Sequence, residues 1–263
     1  RRGSERAQRR RLHQPDRGDV TAYGRLRQPG KIDPLARSVI PPPTSGMHAE
    51  FWATDLAGNV DGSTVATWAD RSGNGRDLTQ ASPGLRPLFR QSVASLNTQE
   101  AVEFDGVDDW MRATWAATSQ PVTYLAVARI ISLGTGSRFV ADKATGTSAM
   151  AFYWTAGVGW SLYAGTSEWL VASPAPTTGA HAMRALLNGT SSRANLDGTL
   201  MSAATGIGTG QSDGVTLAAR RDATGPANMA VAYFGVYVGD ATAAGWWSGF
   251  CTWVADSYGL TIA

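Results

Sequence analysis

Glu103 and Asp105 stand two residues apart, at the end of the apolar run Ala101–Phe104, and paired carboxyl groups at that spacing are the sharpest offer of bond-breaking chemistry in the sequence. On an extended strand, side chains two apart share a face at roughly 6–7 Å. A retaining glycosidase needs a nucleophile and an acid about 5–5.5 Å apart, and an inverting one needs a wider pair. Glu103 and Asp105 are therefore the catalytic candidates. A simpler assignment competes with this one. Phe104-Asp105-Gly106 reads as a chain reversal in which Asp105 bonds to local amides, and Glu103 fits a solvated strand face. That assignment is favoured, and no catalytic activity is expected.

Asp105, Asp108 and Asp109 crowd three carboxylates into five residues, a set of hard oxygen donors suited to calcium. The spacing is not that of an EF-hand loop, and a solvated acidic turn explains it as well. Calcium at these three is the one cofactor considered; none is required. His13, His48 and His181 are far apart in sequence, with no His-x-His or Cys-x-x-Cys arrangement for zinc. Cys251 is alone and falls on an expected buried helical face, where a thiol is inert. Gly134-Thr-Gly136 and Gly206-Ile-Gly208-Thr-Gly210 lack the Lys-Ser/Thr ending of a phosphate loop. Sugar contact calls for an exposed aromatic face beside polar groups. Tyr153, Tyr163 and Trp169 are the candidates, because Phe152, Trp154, Trp160 and Leu162 compete for the inward positions of the same segments.

The elements that must position these groups read as β-strands. The 263 residues include 10 Trp, 7 Tyr, 7 Phe and 30 Gly with 43% hydrophobic residues, enough for one substantial core of pleated rather than helical character. No stretch approaches the ~18 consecutive apolar residues of a membrane span, so a soluble chain is expected. Strands are expected at 50–53, 101–104, 122–131, 138–141, 149–154, 160–164, 182–187, 192–196, 215–219 and 229–238, with tight hairpins at Asn188-Gly189 and Asp197-Gly198. One helix follows Thr242, where Trp247, Phe250, Cys251, Val254 and Tyr258 line a single face. Asp240 is placed to cap its start and Gly259 its end.

Charge divides the chain. Residues 1–45 carry ten Arg and one Lys against four acids, a net +7 within a chain whose total is +2. Arg1, Arg2, Arg6, Arg9, Arg10 and Arg11 are too closely spaced to pack against one another. Pro41-Pro42-Pro43 and Thr44-Ser45-Gly46 then read as a linker, which sets an arm (1–45) apart from a β domain (46–263). Clustered Arg suits phosphate contact, but Tyr23 is the arm's single aromatic and no reading helix is apparent, which argues against nucleic acid. No apolar face adjoins the basic run to favour a membrane. Anchoring to acidic protein surfaces is the expected role of these six arginines.

The segment Val65-Ala-Thr-Trp68-Ala-Asp70-Arg-Ser72-Gly73-Asn74-Gly75-Arg-Asp77-Leu78, then Arg86-Pro87, then Ala101-Val-Glu-Phe104-Asp105-Gly106-Val-Asp108-Asp109, resembles laminin-G-like domains of the concanavalin A-like superfamily. Asp197-Gly198, the run Gly214–Arg221 and the closing Ala255-Asp-Ser-Tyr258-Gly259-Leu260 are similar to later landmarks of that family. The resemblance covers most of residues 48–263 and implies an all-β jelly-roll sandwich of two antiparallel sheets with a terminal helix. It implies glycan binding, adhesion or particle architecture, in bacterial secreted proteins or in phage virions, and some relatives bind calcium. The resulting expectation is a non-enzymatic virion protein in tail or capsid decoration, part of a larger assembly. Its domain faces outward from the virion surface toward host glycans while the arm holds other virion proteins. The β-glucanase branch of the superfamily carries Glu-x-Asp-x-x-Glu, which this sequence lacks. A polysaccharide-degrading enzyme using Glu103 and Asp105, and a secreted bacterial adhesion module, are the alternatives.

Overall fold

The computed structural model describes residues 45–146, 150–165, 174–201 and 207–263, with residues 168–171 as backbone. All belong to one of the two units into which the chain divides, Arg37–Ala263. The six arginines assigned to anchoring lie outside the described residues.

The described chain is a two-sheet β structure closed by one helix. Its strands are β1 (Ala49–Trp52), β2 (Thr67–Trp68), β3 (Leu78–Thr79), β4 (Leu88–Val93), β5 (Gln99–Asp105), β6 (Met111–Thr118), β7 (Val122–Ser132), β8 (Ser137–Asp142), β9 (Met150–Thr155), β10 (Gly159–Ala164), β11 (Glu168–Val171), β12 (Gly179–Leu187), β13 (Arg193–Leu196), β14 (Thr199–Leu200), β15 (Ser212–Leu217) and β16 (Asn228–Val238), and helix α1 spans Trp247–Tyr258. The first sheet runs β14-β13-β12-β7-β16-β5-β4, with β1 also on β16. The second runs β11-β10-β9-β8-β15-β6-β3-β2. Every pairing of named strands is antiparallel.

Two apolar layers explain the near-continuous hydrophobicity of β7 and β16, whose residues are buried on both faces. Between the sheets, Phe51, Trp68, Phe89, Phe104, Phe152, Trp154, Trp160 and Phe234 fill the principal core. On the other side of the first sheet, Trp52, Leu125, Val127 and Tyr233 meet Phe250, Trp253, Val254 and Tyr258. The Trp52 and Trp253 rings sit 4.4 Å apart, and Trp52 and Tyr233 4.8 Å apart, both edge to face. The helix thereby covers the outside of the first sheet. Among the described residues, no helix covers the outside of the second.

The helix differs in detail from the sequence reading. Asp240 caps a separate 3-10 turn, Ala241–Ala243, accepting from the Thr242 amide at 3.1 Å, and an extended Ala244 (ψ 139°) breaks that turn from α1. Trp246, rather than Trp247, is the tryptophan driven into the core, and Cys251 is only half buried. Trp253 joins the buried face because the contact with Trp52 widens the stripe beyond one helical row. Gly259 ends the helix in the left-handed conformation, φ 69°, as expected.

The hairpin at Asp197-Gly198 has both residues left-handed, φ 48° and 78°, which fits a two-residue connection between β13 and β14. At Asn188-Gly189 the chain instead makes a 3-10 turn, Gly189–Ser191, before β13. Asp197 also closes a half-buried polar bridge. Its Oδ2 lies 2.7 Å from Nδ1 of His181, and its Oδ1 accepts from the Ala182 amide at 2.8 Å. The His181 Nε2 is 3.1 Å from the Thr177 carbonyl. Burial opposes charge on the ring, but the Asp197 carboxylate and the Thr177 carbonyl outweigh it and raise the imidazole above its ordinary 6.5. A raised folded-state value stabilises the fold fully below that ordinary value, and the gain is lost as pH rises through the folded value. Thermal melts of His181→Gln are therefore expected to show a smaller fall in Tm than wild type between mildly acidic and mildly alkaline pH. Parallel curves for the two proteins would refute this.

Candidate functional site

Backbone register builds a polar row across the outer face of the second sheet, exposed at Thr67 and Thr79 and covered at Thr216 and Asp142. Thr67 pairs with Thr79, Thr79 with Arg112, Arg112 with Thr216 and Thr216 with Asp142. Directly paired residues share a face. Their neighbours Trp68, Leu78, Met111 and Leu217 all lie in the core, so alternation turns the polar row outward. Asp142 is fully buried and satisfied: Oδ1 accepts from the Lys143 and Met150 amides at 2.8 and 3.1 Å, and Oδ2 accepts from the Arg221 amide and Nη1 at 3.1 and 3.0 Å. The Arg221 carbonyl in turn accepts from Nη2 of Arg112, whose Nε donates to Thr216 Oγ1 at 2.9 Å. A buried ion pair this fully hydrogen-bonded fixes geometry more than it adds stability.

Arg112 also stacks over Trp110, its guanidinium carbon 4.7 Å from the ring centroid. Beside them a cleft of 590 Å³ opens, lined by Arg76, Asp77, Thr79, Gln80, Ser82, Trp110, Arg112 and Thr114 together with Gly75, Ala81 and Ala113. That volume lies within the ~300–1,000 Å³ typical of small-ligand sites. Trp110, Arg112 and Thr114 reach it because they alternate with the inward Met111 and Ala113.

Side-chain bonds to backbone fix the walls. Gln80, itself buried, donates from Nε2 to the Trp110 carbonyl at 3.0 Å and accepts from the Ser82 amide at 3.1 Å. Arg86 clamps the carbonyls of Gln80 and Ala81, both at 2.8 Å. On the other wall Asp70 gathers four donors: the amides of Glu50, Ser72 and Arg76 at 3.0, 2.9 and 3.0 Å, and the Ser72 hydroxyl at 2.8 Å. Burial works against the charge of Asp70, yet these bonds prevail and hold its carboxyl below the usual carboxylate range. Asp77 accepts from the Asp70 amide at 2.8 Å, and Asn74 donates to the Met47 and His48 carbonyls at 3.0 and 3.2 Å. The Asp-Arg-Ser-Gly-Asn-Gly loop thus ties the cleft to β1, and Trp68 beneath it is fully buried.

The residues singled out from sequence are distributed over the molecule. Phe152, Trp154, Trp160 and Leu162 do take the inward positions. Tyr153 accordingly faces the other way, but it is only 8% exposed: Phe139 stacks on it at 4.7 Å and Tyr163 packs alongside. Its expected exposure is therefore corrected, since neighbouring aromatics cover it. Tyr163 is half buried, and Trp169 lies on β11, opposite Leu162, with its side chain outside the described residues. Glu103 is engaged by Arg90 at 2.8 Å, and Asp105 accepts from the Val107 and Asp108 amides at 2.8 and 3.3 Å. Gly106 completes that turn at φ 76°, where a β-carbon would come within 2.6 Å of Asn228. A second opening, 440 Å³, is lined by Ala117, Lys143, Gly165, Thr209, Gly210, Gln211 and Asp213 and presents no aromatic ring.

Asp105, Asp108 and Asp109 do converge, each offering a carboxylate oxygen within 4.8 Å of the others. Asp109 is buried and accepts from the Asp105 amide at 3.0 Å. Burial first, then the charges of Asp105, Asp108 and Glu103, push it up to about 6. A carboxylate raised in this way makes the fold relatively less stable as pH climbs from about 3.8 toward about 6. Asp109→Asn is expected to raise Tm by a few degrees at neutral pH and to leave it unchanged in acid. Calorimetry at the two pH values checks this, and a lower Tm at neutral pH would contradict it.

Trp110 and Arg112 were legible only as a Trp-x-Arg alternation after an acidic turn; the small Ala113 on the inward side made the strand pattern weak. No family model matches the sequence, and no curated protein matches it. Solved structures do share the fold. Domain 4 of AbnA, a GH43 extracellular arabinanase from Geobacillus stearothermophilus, in complex with arabinotriose, superposes with TM-score 0.56 at 12% identity over 74% of this chain and 93% of that domain. Trypanosoma rangeli sialidase in complex with 2,3-difluorosialic acid gives TM-score 0.51 at 14% identity over 74% of this chain. The match spans only 31% of the sialidase. At such identities the likeness establishes one thing: over 74% of its length this chain shares a fold with the matched parts of those proteins, and in the described residues that fold is two antiparallel β-sheets.

Proposed function

We propose that this chain is a non-enzymatic glycan-binding domain of the laminin-G-like kind, and that the cleft around Trp110 is its sugar site. The observation that carries this reading is a half-buried tryptophan beside fixed polar groups on an uncovered sheet face. Sugar rings offer an apolar face to an indole and hydroxyls to side chains such as Gln80, Thr79 and Ser82. The arabinanase domain of like fold, solved with arabinotriose, is consistent with this use of the architecture. The finer reading is outward display on a phage particle, with residues 1–45 holding other virion proteins. It rests on the sequence resemblance and on the charge division.

The test is affinity electrophoresis of the full chain against a panel of neutral and acidic polysaccharides, with reducing-end release assayed in parallel. Retardation without release is the expected result. Release that disappears in Glu103→Gln or Asp105→Asn would replace this reading with a hydrolase. For the arm, a chain lacking residues 1–45 that still entered particles normally would defeat the anchoring role.

A further inference from the structure

We infer that the Trp110 cleft selects acidic saccharides, those carrying carboxylate or sulfate groups, an inference that rests on the glycan-binding reading above. Arg71, Arg90, Arg184, Arg193, Arg220 and Arg221 each lie within 4 Å of a carboxylate oxygen. Arg76 and Arg112 of the cleft do not, and among the described residues neither do Arg86, Arg129 and Arg138. Among the described residues, Arg76 donates to the His48 carbonyl and Arg112 to Thr216 and the Arg221 carbonyl; neither is hydrogen-bonded to a carboxylate, and Asp142, Asp213 and Asp222 act on Arg112 only from beyond ion-pair distance. Arg86, behind the wall, likewise donates to the Gln80 and Ala81 carbonyls.

These bonds orient the guanidinium groups without a direct ion pair. Asp77 is the one acid in the lining, and its Oδ1 accepts from the Asp70 amide. His48 adds no compensating or competing charge at neutral pH: burial, together with Arg76, lowers its ring to about 4. The lining therefore sets two arginines against one carboxylate, in a domain whose residues 46–263 are net acidic. Each of the two arginines rests on an indole, Arg112 on Trp110 at 4.7 Å and Arg76 on Trp115 at 5.7 Å. Arg112 already uses its Nε–Nη2 edge on Thr216 and the Arg221 carbonyl, which leaves its Nη1 end for a ligand, whereas Arg76, donating from Nη1, keeps its Nε–Nη2 edge. Such an edge matches the two oxygens of a carboxylate or sulfate, while the exposed part of Trp110 meets the ring that bears it.

The deciding experiment measures binding of the full chain to polygalacturonate, dextran sulfate, neutral dextran, neutral arabinan and a double-stranded DNA oligonucleotide, at low and at physiological salt. Either or both acidic polysaccharides are expected to bind at least tenfold more tightly than the neutral ones, with affinity falling as salt rises. Arg76→Gln and Arg112→Lys are each expected to lose about tenfold on the acidic ligand. The lysine variant keeps the charge and loses the fork. Asp77→Asn, which retains an acceptor for the Asp70 amide, is expected to gain severalfold. Unchanged melting temperatures identify the variants that fold. Binding confined to neutral glycans and lost in Trp110→Ala would overturn the acidic selectivity and leave the glycan-binding reading standing. Absence of binding to every polysaccharide would overturn both. Equal binding to DNA, insensitive to Asp77→Asn, would reduce the effect to unspecific charge and also overturn the inference.

Discussion

Asp70→Ala is expected to destabilise the domain by about 3 kcal/mol, a loss of roughly 6–12 °C in Tm for a protein of this size. The carboxylate accepts four hydrogen bonds, three from backbone amides at 2.9–3.0 Å and one from the Ser72 hydroxyl at 2.8 Å. Bonds to a charged acceptor contribute about 1.5–3 kcal/mol each when measured singly. The donors share one acceptor and relax together, so the sum is far from additive. Removing the carboxylate leaves the Glu50 amide, at the start of the sheet pairing of β1, without this acceptor. It also frees the loop from β1. The acid limb provides a second signature. A carboxyl held below its ordinary 3.8 stabilises the fold above that value, and the gain is lost as pH falls through the folded value. Asp70→Ala should therefore melt low at neutral pH and show a shallower decline in acid. A wild-type Tm in the variant would mean that the loop does not brace the domain.

Trp110→Ala is expected to lower glycan affinity by roughly 30-fold or more, about 2 kcal/mol, because an aromatic at the centre of a site carries a disproportionate share of binding. Its stability cost should be much smaller. Trp110 is half buried and lies outside the apolar clusters that contain Trp68, Trp154 and Trp160. The main intramolecular loss is its contact with Arg112, about 0.5–1 kcal/mol. Calorimetric titration and a thermal melt separate the two effects. Intact affinity with an intact melt would remove Trp110 from the site.

Much of the architecture was legible in the sequence, and the omissions have physical causes. β7 and β16 announced themselves because strands covered on both faces need no polar alternation, and their eleven residues each are almost all buried. β2 and β3 are two residues long, too short to show any period. In β4 a register shift between Arg90 and Val93 interrupts the alternation. In β6 the inward Ala113 offers little hydrophobic contrast to its neighbours.

The site was harder to read than the fold because its parts come from separate stretches of chain, the 75–82 segment and the 110–114 strand start, brought together by a single register pair, Thr79 with Arg112. Aromatic character, together with alternation against Phe152, Trp154, Trp160 and Leu162, pointed to Tyr153, Tyr163 and Trp169. For Tyr153 the structure shows why that signal misleads: an outward-facing aromatic can be roofed by its own neighbours, here Phe139 and Tyr163. In the Asp-Arg-Ser-Gly-Asn-Gly loop, by contrast, the residue types themselves spell a turn braced by local hydrogen bonds. Asp70, Ser72 and Asn74 fill that role through bonds to Glu50, Met47 and His48.

The most direct test of the central claim, that the uncovered face of the second sheet is the binding surface, is hydrogen–deuterium exchange of the full chain with and without a saturating polysaccharide ligand. Added protection in peptides covering Gly75–Ser82 and Trp110–Thr114, with the helix α1 peptides unchanged, is the expected result. Protection centred instead on Tyr153 and Tyr163, on the Asp105–Asp109 turn or on α1 would contradict it.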